Sequence, residues 1–175
     1  INVLSHTVSS KSASESMGMM VTEIDVSPKR RLTEKDFSEI EKEIGQSAQI
    51  EKKYYYTGSY FSFEGEQIMC QSFKDPGVLP PLKGRVPIYD NEIAVSPILL
   101  DEFELEIGDE VTVGWEGKKG KYLITGTLQL MNDAGRCFVM SQEGAENIGY
   151  DQWLWGCYSL ENDEKAEKIV DSLNE

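Results

Sequence analysis

The chain has 175 residues, with 31 acidic against 17 basic side chains for a formal charge of −14, 39% hydrophobic residues and 10% aromatics. That length buries a core without disulfides or metals, and the spread of aromatic and β-branched residues argues against a disordered acidic tail. The negative surface repels phosphate backbones and anionic headgroups, which argues against nucleic-acid binding, and neither a bilayer-spanning apolar run nor a signal-peptide pattern occurs.

Residues 1–19 are rich in Ser and read as an extended or mobile lead-in. Over 20–27, Thr22, Ile24 and Val26 alternate with Glu23 and Asp25, which predicts a strand with one wet face. Thr33 then caps a helix with Glu34 and Asp36 in its first turn, Phe37, Ile40 and Ile44 on one stripe, and Gly45 as its stop. The aromatic runs 50–56 and 59–63, joined at Thr57 and Gly58, and a third run at 67–73 predict a β-meander. Asp75, Pro76 and Gly77 turn the chain, and 79–84, with Pro80 and Pro81, is neither helix nor central strand.

A short strand at 92–95 precedes a helix capped by Ser96, with Pro97 in its first position, running through Phe103. Residues 110–115 and 121–130 form a hairpin around a loop at 116–120, and Gly126 marks a bulge or a close backbone approach. Asn132, Asp133, Ala134 and Gly135 turn the chain into a strand at 136–140, followed by a short helix over 142–148. A strand at 152–160 leads to a last helix capped by Asn162, with Asp163 and Glu164 in its first turn and Ala166, Ile169, Val170 and Leu173 on its apolar stripe. The order is that of an α+β protein in which βα units at the two ends bracket a β-rich middle.

Catalytic chemistry finds little support in these residues. The one histidine, His6, sits in the lead-in where no third group orients it, so Ser/His and Cys/His catalysis and imidazole-based metal sites are not expected. Cys70, Cys137 and Cys157 are too widely spaced for a C-x-x-C pair and read as small buried hydrophobes, Cys137 with Cys157 being the pair to test for a bridge. The acidic run 101–109 only superficially resembles a calcium loop, and Gly117, Lys118, Lys119 and Gly120 form a hairpin tip rather than a phosphate cradle. The aromatics Tyr54, Tyr56, Tyr60, Trp153 and Trp155 are candidates for a contact surface, set against the ordinary reading in which alternate members face the core. No enzyme, metal or cofactor is expected. A carboxylate-dependent hydrolase has only the abundance of acids in its favour.

One combination of motifs is more specific. Leu82, Gly84, Arg85 and Pro87 form an L-x-G-R-x-P string, Asn91 to Ser96 reads N-E-I-A-V-S, and after the short helix Gly108 and Asp109 open the strand at 110–115, whose partner carries Gly126. The glycines suit tight turns into strands, Asp109 can bond neighbouring amides, and Glu92 can pair with Arg85. In order and spacing this resembles the extracytoplasmic, MacB-like periplasmic core domain of FtsX/MacB-type ABC transporter permeases. The resemblance implies a porter-like α+β lobe from 20–73 and 150–175, a β-rich subdomain over 74–149, and a lead-in at 1–19 following a membrane helix. It makes Gly84, Arg85, Pro87, Glu92, Ser96, Gly108, Asp109 and Gly126 structural rather than catalytic residues.

The resemblance further implies a soluble segment of a membrane protein on the extracytoplasmic face. Its partners would be a cytoplasmic ATPase that consumes ATP, a second permease copy or paralogue, and an exported peptide or lipoprotein. The chain beginning at Ile1 is accordingly expected to be an excised piece of a longer protein. The competing expectation is a free-standing secreted or lipid-anchored protein that binds a peptide or glycan through the aromatic surface.

Overall fold

The computed structural model describes residues 2–4, 20, 22–162 and 165–174. The strands are β1 (Asn2–Leu4), β2 (Ile24–Ser27), β3 (Ile50–Phe63), β4 (Glu66–Phe73), β5 (Lys83–Gly84), β6 (Glu92–Val95), β7 (Glu110–Trp115), β8 (Lys118–Thr127), β9 (Cys137–Ser141) and β10 (Trp155–Leu160). The helices are α1 (Glu34–Ser47), α2 (Pro97–Phe103), α3 (Gln142–Asn147) and α4 (Ala166–Asn174). Parallel and antiparallel pairings both occur, so the protein is mixed α+β. It divides into two units, one holding β1, Met20–Tyr55 and Trp153–Glu175, the other Tyr56–Gln152. The second begins within β3, so residues 56–73, expected above with the terminal lobe, group with the β-rich unit. Their pairing explains this: β3 from Tyr56 onward is laddered to β4, and β4 runs parallel to β9.

In the first unit β2 pairs antiparallel with both β1 and β10, and the first half of β3 flanks β10. Ile24 and Val26 from β2 and Tyr158 and Leu160 from β10 lie two residues apart, so they share one face. The apolar stripes of α1 (Ile40, Ile44) and α4 (Ala166, Ile169) cover that face. Each such Ile removed from water contributes about 2 kcal/mol. The α1 start is a capping box: the Thr33 hydroxyl accepts from the Asp36 N–H, and the Asp36 carboxylate accepts from the Thr33 N–H at 2.7 Å. Gly45 does not stop α1, which continues to Ser47 because tertiary packing of Ile44 outweighs one glycine's propensity cost. Within the expected lead-in, Asn2–Leu4 is a strand. The rest of that lead-in, His6 included, and residues 163 and 164 of the expected last cap lie outside the described residues.

The second unit is a closed ring of six strands. β3 pairs with β4, β4 with β9, β9 with β6, β6 with β8, β8 with β7, and β7 returns to β3 at Ser62 and Phe63. Each strand contributes two residues at i and i+2 to one buried cluster: Phe61 and Phe63, Ile68 and Cys70, Phe138 and Met140, Ile93 and Val95, Tyr122 and Ile124, Val111 and Val113. A ring this small is filled by side chains, so it is a packed barrel and not a pore. Leu99, Ala145, Ile148 and Tyr150 extend the same cluster beyond the strands.

Several sequence boundaries shift. Thr57 and Gly58 are not a turn; β3 is one strand of 14 residues. The loop expected at 116–120 shrinks to Glu116 and Gly117, both at positive φ, a two-residue turn that matches strand twist. Gly126 is both things its position suggested. The β6 register slips between Ile93 and Ala94, leaving Thr125 as the extra residue of a bulge, and Gly84 lies directly across from Gly126. All three cysteines are buried free thiols, so the Cys137–Cys157 bridge does not form. Burial pushes the Cys137 thiol up to about 12.

Candidate functional site

Glu92 begins β6 with its side chain only 4% exposed, and a carboxylate that deep needs partners. Arg85 supplies two: Nη1 donates to Oε2 at 2.6 Å and Nη2 donates to Oε1, a bidentate pair. The backbone N–H groups of Ile88 and Tyr89 donate to Oε2 at 2.9 and 3.1 Å. Four donors therefore converge on one carboxylate and fix the loop 86–90. The Arg85 guanidinium, ahead of the two amides, holds the Glu92 carboxyl well below the usual range, at about 2.

The backbone beneath this clamp is built from the other motif residues. Gly84, at φ +66, approaches the Thr125 carbonyl so closely that a Cβ there would sit 2.3 Å from the oxygen. A Cβ on Gly126 would meet the Arg85 carbonyl oxygen at 2.3 Å. Only a glycine pair permits β5 to lie against β8 here. Pro87 is buried. Ser96 caps α2 by accepting from the Leu99 N–H at 3.2 Å, and Asp109 accepts from the Glu106 N–H at 2.8 Å. The Gly108 N–H donates to the Ile124 carbonyl, so these two motif strings dock on the same strand, β8. All eight motif residues lie in the second unit.

What the clamp presents is two residues that sequence reasoning passed over. Ile88 and Tyr89 are 66% and 63% exposed, the most exposed large apolar residues among those described. Their main chain is held by Glu92 while their side chains project into solvent, an arrangement suited to contact rather than to folding. An apolar pair between Pro87 and the turn-forming Asp90 and Asn91 was the available signal.

The aromatic contact candidates separate. Tyr54 is buried, 7% exposed, and is no part of a contact surface, because its place on β3 turns it inward. Tyr56 is half-buried and stacks on Phe73 at 5.1 Å. In the second unit Tyr60 is exposed, and in the first unit Trp153 and Trp155 are 42% and 45% exposed. Among the described residues no group of three His, Cys, Asp or Glu side chains is placed to hold a metal ion, and no helix is long and apolar enough to cross a membrane.

No protein-family model and no curated protein matches the chain. Solved structures do. The periplasmic region of MacB from Actinobacillus actinomycetemcomitans aligns with a TM-score of 0.53 at 13% identity, over 79% of this chain and 72% of that one. The extracellular domain of the noncanonic ABC-type transporter YknZ from Gram-positive bacteria aligns with the same TM-score and identity, over 81% of each chain. The chain therefore has the fold of a MacB-type extracytoplasmic domain, the fold that the strings around Arg85, Glu92 and Gly108 led us to expect.

Proposed function

We propose that this chain is the extracytoplasmic domain of an FtsX/MacB-type ABC transporter permease, and that it works by contact rather than by catalysis. The observation that carries the reading is the fold, shared with the MacB and YknZ domains over about four-fifths of the chain. The four-donor clamp on Glu92 supports a contact role, since it spends a buried charge on holding an exposed apolar loop tip in place. The first unit is read as the porter-like lobe and the barrel as the part that meets a partner or an exported peptide or lipoprotein. The domain has no cofactor of its own; a cytoplasmic ATPase consumes ATP and acts through the membrane helices, and a second permease copy completes the transporter.

The reading frame that encodes the chain tests this. It is expected to place an apolar helix directly before Ile1 and three more after Glu175. A frame that closes near residue 175 without flanking spans contradicts the permease reading. An upstream signal peptide or lipobox with no downstream span then favours a secreted or lipid-anchored binding protein, whose contact residues would be the exposed Trp153 and Trp155.

A further inference from the structure

The outer surface of the barrel carries a groove whose lining names a class of ligand. Phe61, Phe63 and Val113 are buried inside the barrel, so Ser62 and Gly114, their neighbours in the chain, face outward. Register then sets four residues in one row across four strands. Gln67 on β4 lies opposite Ser62 on β3, Ser62 opposite Gly114 on β7, and Gly114 opposite Lys119 on β8. At about 4.8 Å between strands the row is roughly 14 Å long. Gly114 has no side chain and forms the floor, and the Lys119 stem borders it, its Cγ 3.0 Å from where a Cβ would stand. Tyr60, two residues back along β3 and exposed, and the half-buried Trp115 complete the lining of a groove of 410 Å³. That volume lies within the range of about 300–1,000 Å³ usual for small-molecule sites. Trp115 is a fixed wall, its ring centroid 5.1 Å from that of Phe61 and 4.8 Å from that of Tyr150.

Three features select the occupant. The backbones of Ser62, Gly114 and Lys119 already pair with one another along the row, so a guest strand finds no ladder there and recognition falls to side chains. The charges balance: Lys119 stands with Glu116 of the turn, while Lys118 lies on the other face of the strand, over Gly149. The polar groups are also unengaged. Among the described residues, the side chains of Tyr60, Ser62, Gln67, Glu116 and Lys119 form no hydrogen bond or ion pair with the rest of the protein. An aromatic ring, an amide, a hydroxyl, an ammonium and a carboxylate therefore surround one electrically balanced groove. A purely apolar ligand would strip these groups of water without replacing it, whereas a neutral ring compound with an apolar face and a rim of hydroxyls matches them all.

We infer that this groove binds a neutral saccharide laid across the strands. The Tyr60 ring takes the C–H face of a pyranose, and the Gln67 amide, the Ser62 hydroxyl, Lys119 and Glu116 bond its hydroxyls. The site is built from the barrel alone and does not rest on the transporter reading, which can fail while this one stands.

The test titrates the 175-residue chain with maltose, cellobiose and diacetylchitobiose, each to tens of millimolar, while amide and indole resonances are followed by NMR. At least one of the three should shift the amides of Tyr60, Ser62, Gly114 and Lys119 and the Trp115 indole N–H along a saturable curve. Sorbitol, which has the hydroxyls without the ring face, should leave them in place. Tyr60→Ala should weaken binding about tenfold, Tyr60→Phe should keep it within about twofold, and Gln67→Ala should weaken it about fivefold. Tyr60 and Gln67 are exposed, and unchanged resonances in the barrel core verify the fold of each variant. If Tyr60→Ala unfolds the barrel, Gln67→Ala decides alone. Absence of saturable shifts with all three sugars, shifts confined to other residues, equal binding of sorbitol, or undiminished binding by a folded Tyr60→Ala protein overturns the inference.

Discussion

Glu92 shows how much a single side chain carries. Its folded pKa, about 2, lies below the ordinary 4.5, so the pair with Arg85 contributes stability that is present above about pH 4.5 and lost as pH falls toward 2. Glu92→Gln is expected to lower the unfolding free energy by about 2 kcal/mol at pH 7, allowing for solvent screening by the half-exposed Arg85. Denaturant unfolding of both proteins across pH should show the gap constant above pH 5 and closing below pH 4. A pH-independent gap would mean that packing, not charge, sets the effect. This pair was legible in the sequence because both members sit in a recognisable string. Ile88 and Tyr89 were not, because hydropathy does not distinguish an apolar residue that is clamped outward from one that is buried.

Glycines mark the limits of reading single elements. Gly45, Gly58 and Gly126 look alike in the chain, and each answers to a different surrounding. Gly45 lies inside α1 with no atom within 4 Å of where a Cβ would be, so Gly45→Ala should stabilise the protein by about 1 kcal/mol. Gly126 faces the backbone of residues 83 and 85 at 2.3 to 2.7 Å, so Gly126→Ala should destabilise it by about 2–3 kcal/mol. Paired thermal melts check both, and equal shifts of the same sign would refute the packing described for β5 against β8. Gly58 reads as a turn in sequence because Thr-Gly breaks an aromatic run. It lies in the strand because Thr57 and Gly58 sit opposite Ser72 and Gln71 on β4. Helix starts were read well, since caps such as Thr33 and Ser96 act within a few residues, whereas strand ends depend on partners far away.

At the scale of the molecule, the α+β class and the strings around β6 to β8 were legible, and the barrel was not. Its closure rests on β3 meeting β7 across some fifty residues of chain at only two paired positions, information that no local pattern holds. The same pairing moved residues 56–73 into the β-rich unit. At this level the described residues of the second unit are organised around the six-strand ring and the apolar loop tip held by Glu92.

The proposed permease role requires that the chain stand outside the cytoplasmic membrane on a membrane stem. An antibody raised against the chain, applied to cells of its source, measures that directly. The expected result is a membrane-pelleting polypeptide well above 19.7 kDa, degraded by protease added outside the cytoplasmic membrane. A 19.7 kDa species in the cytosolic fraction, resistant to that protease until the cells are lysed, would contradict it.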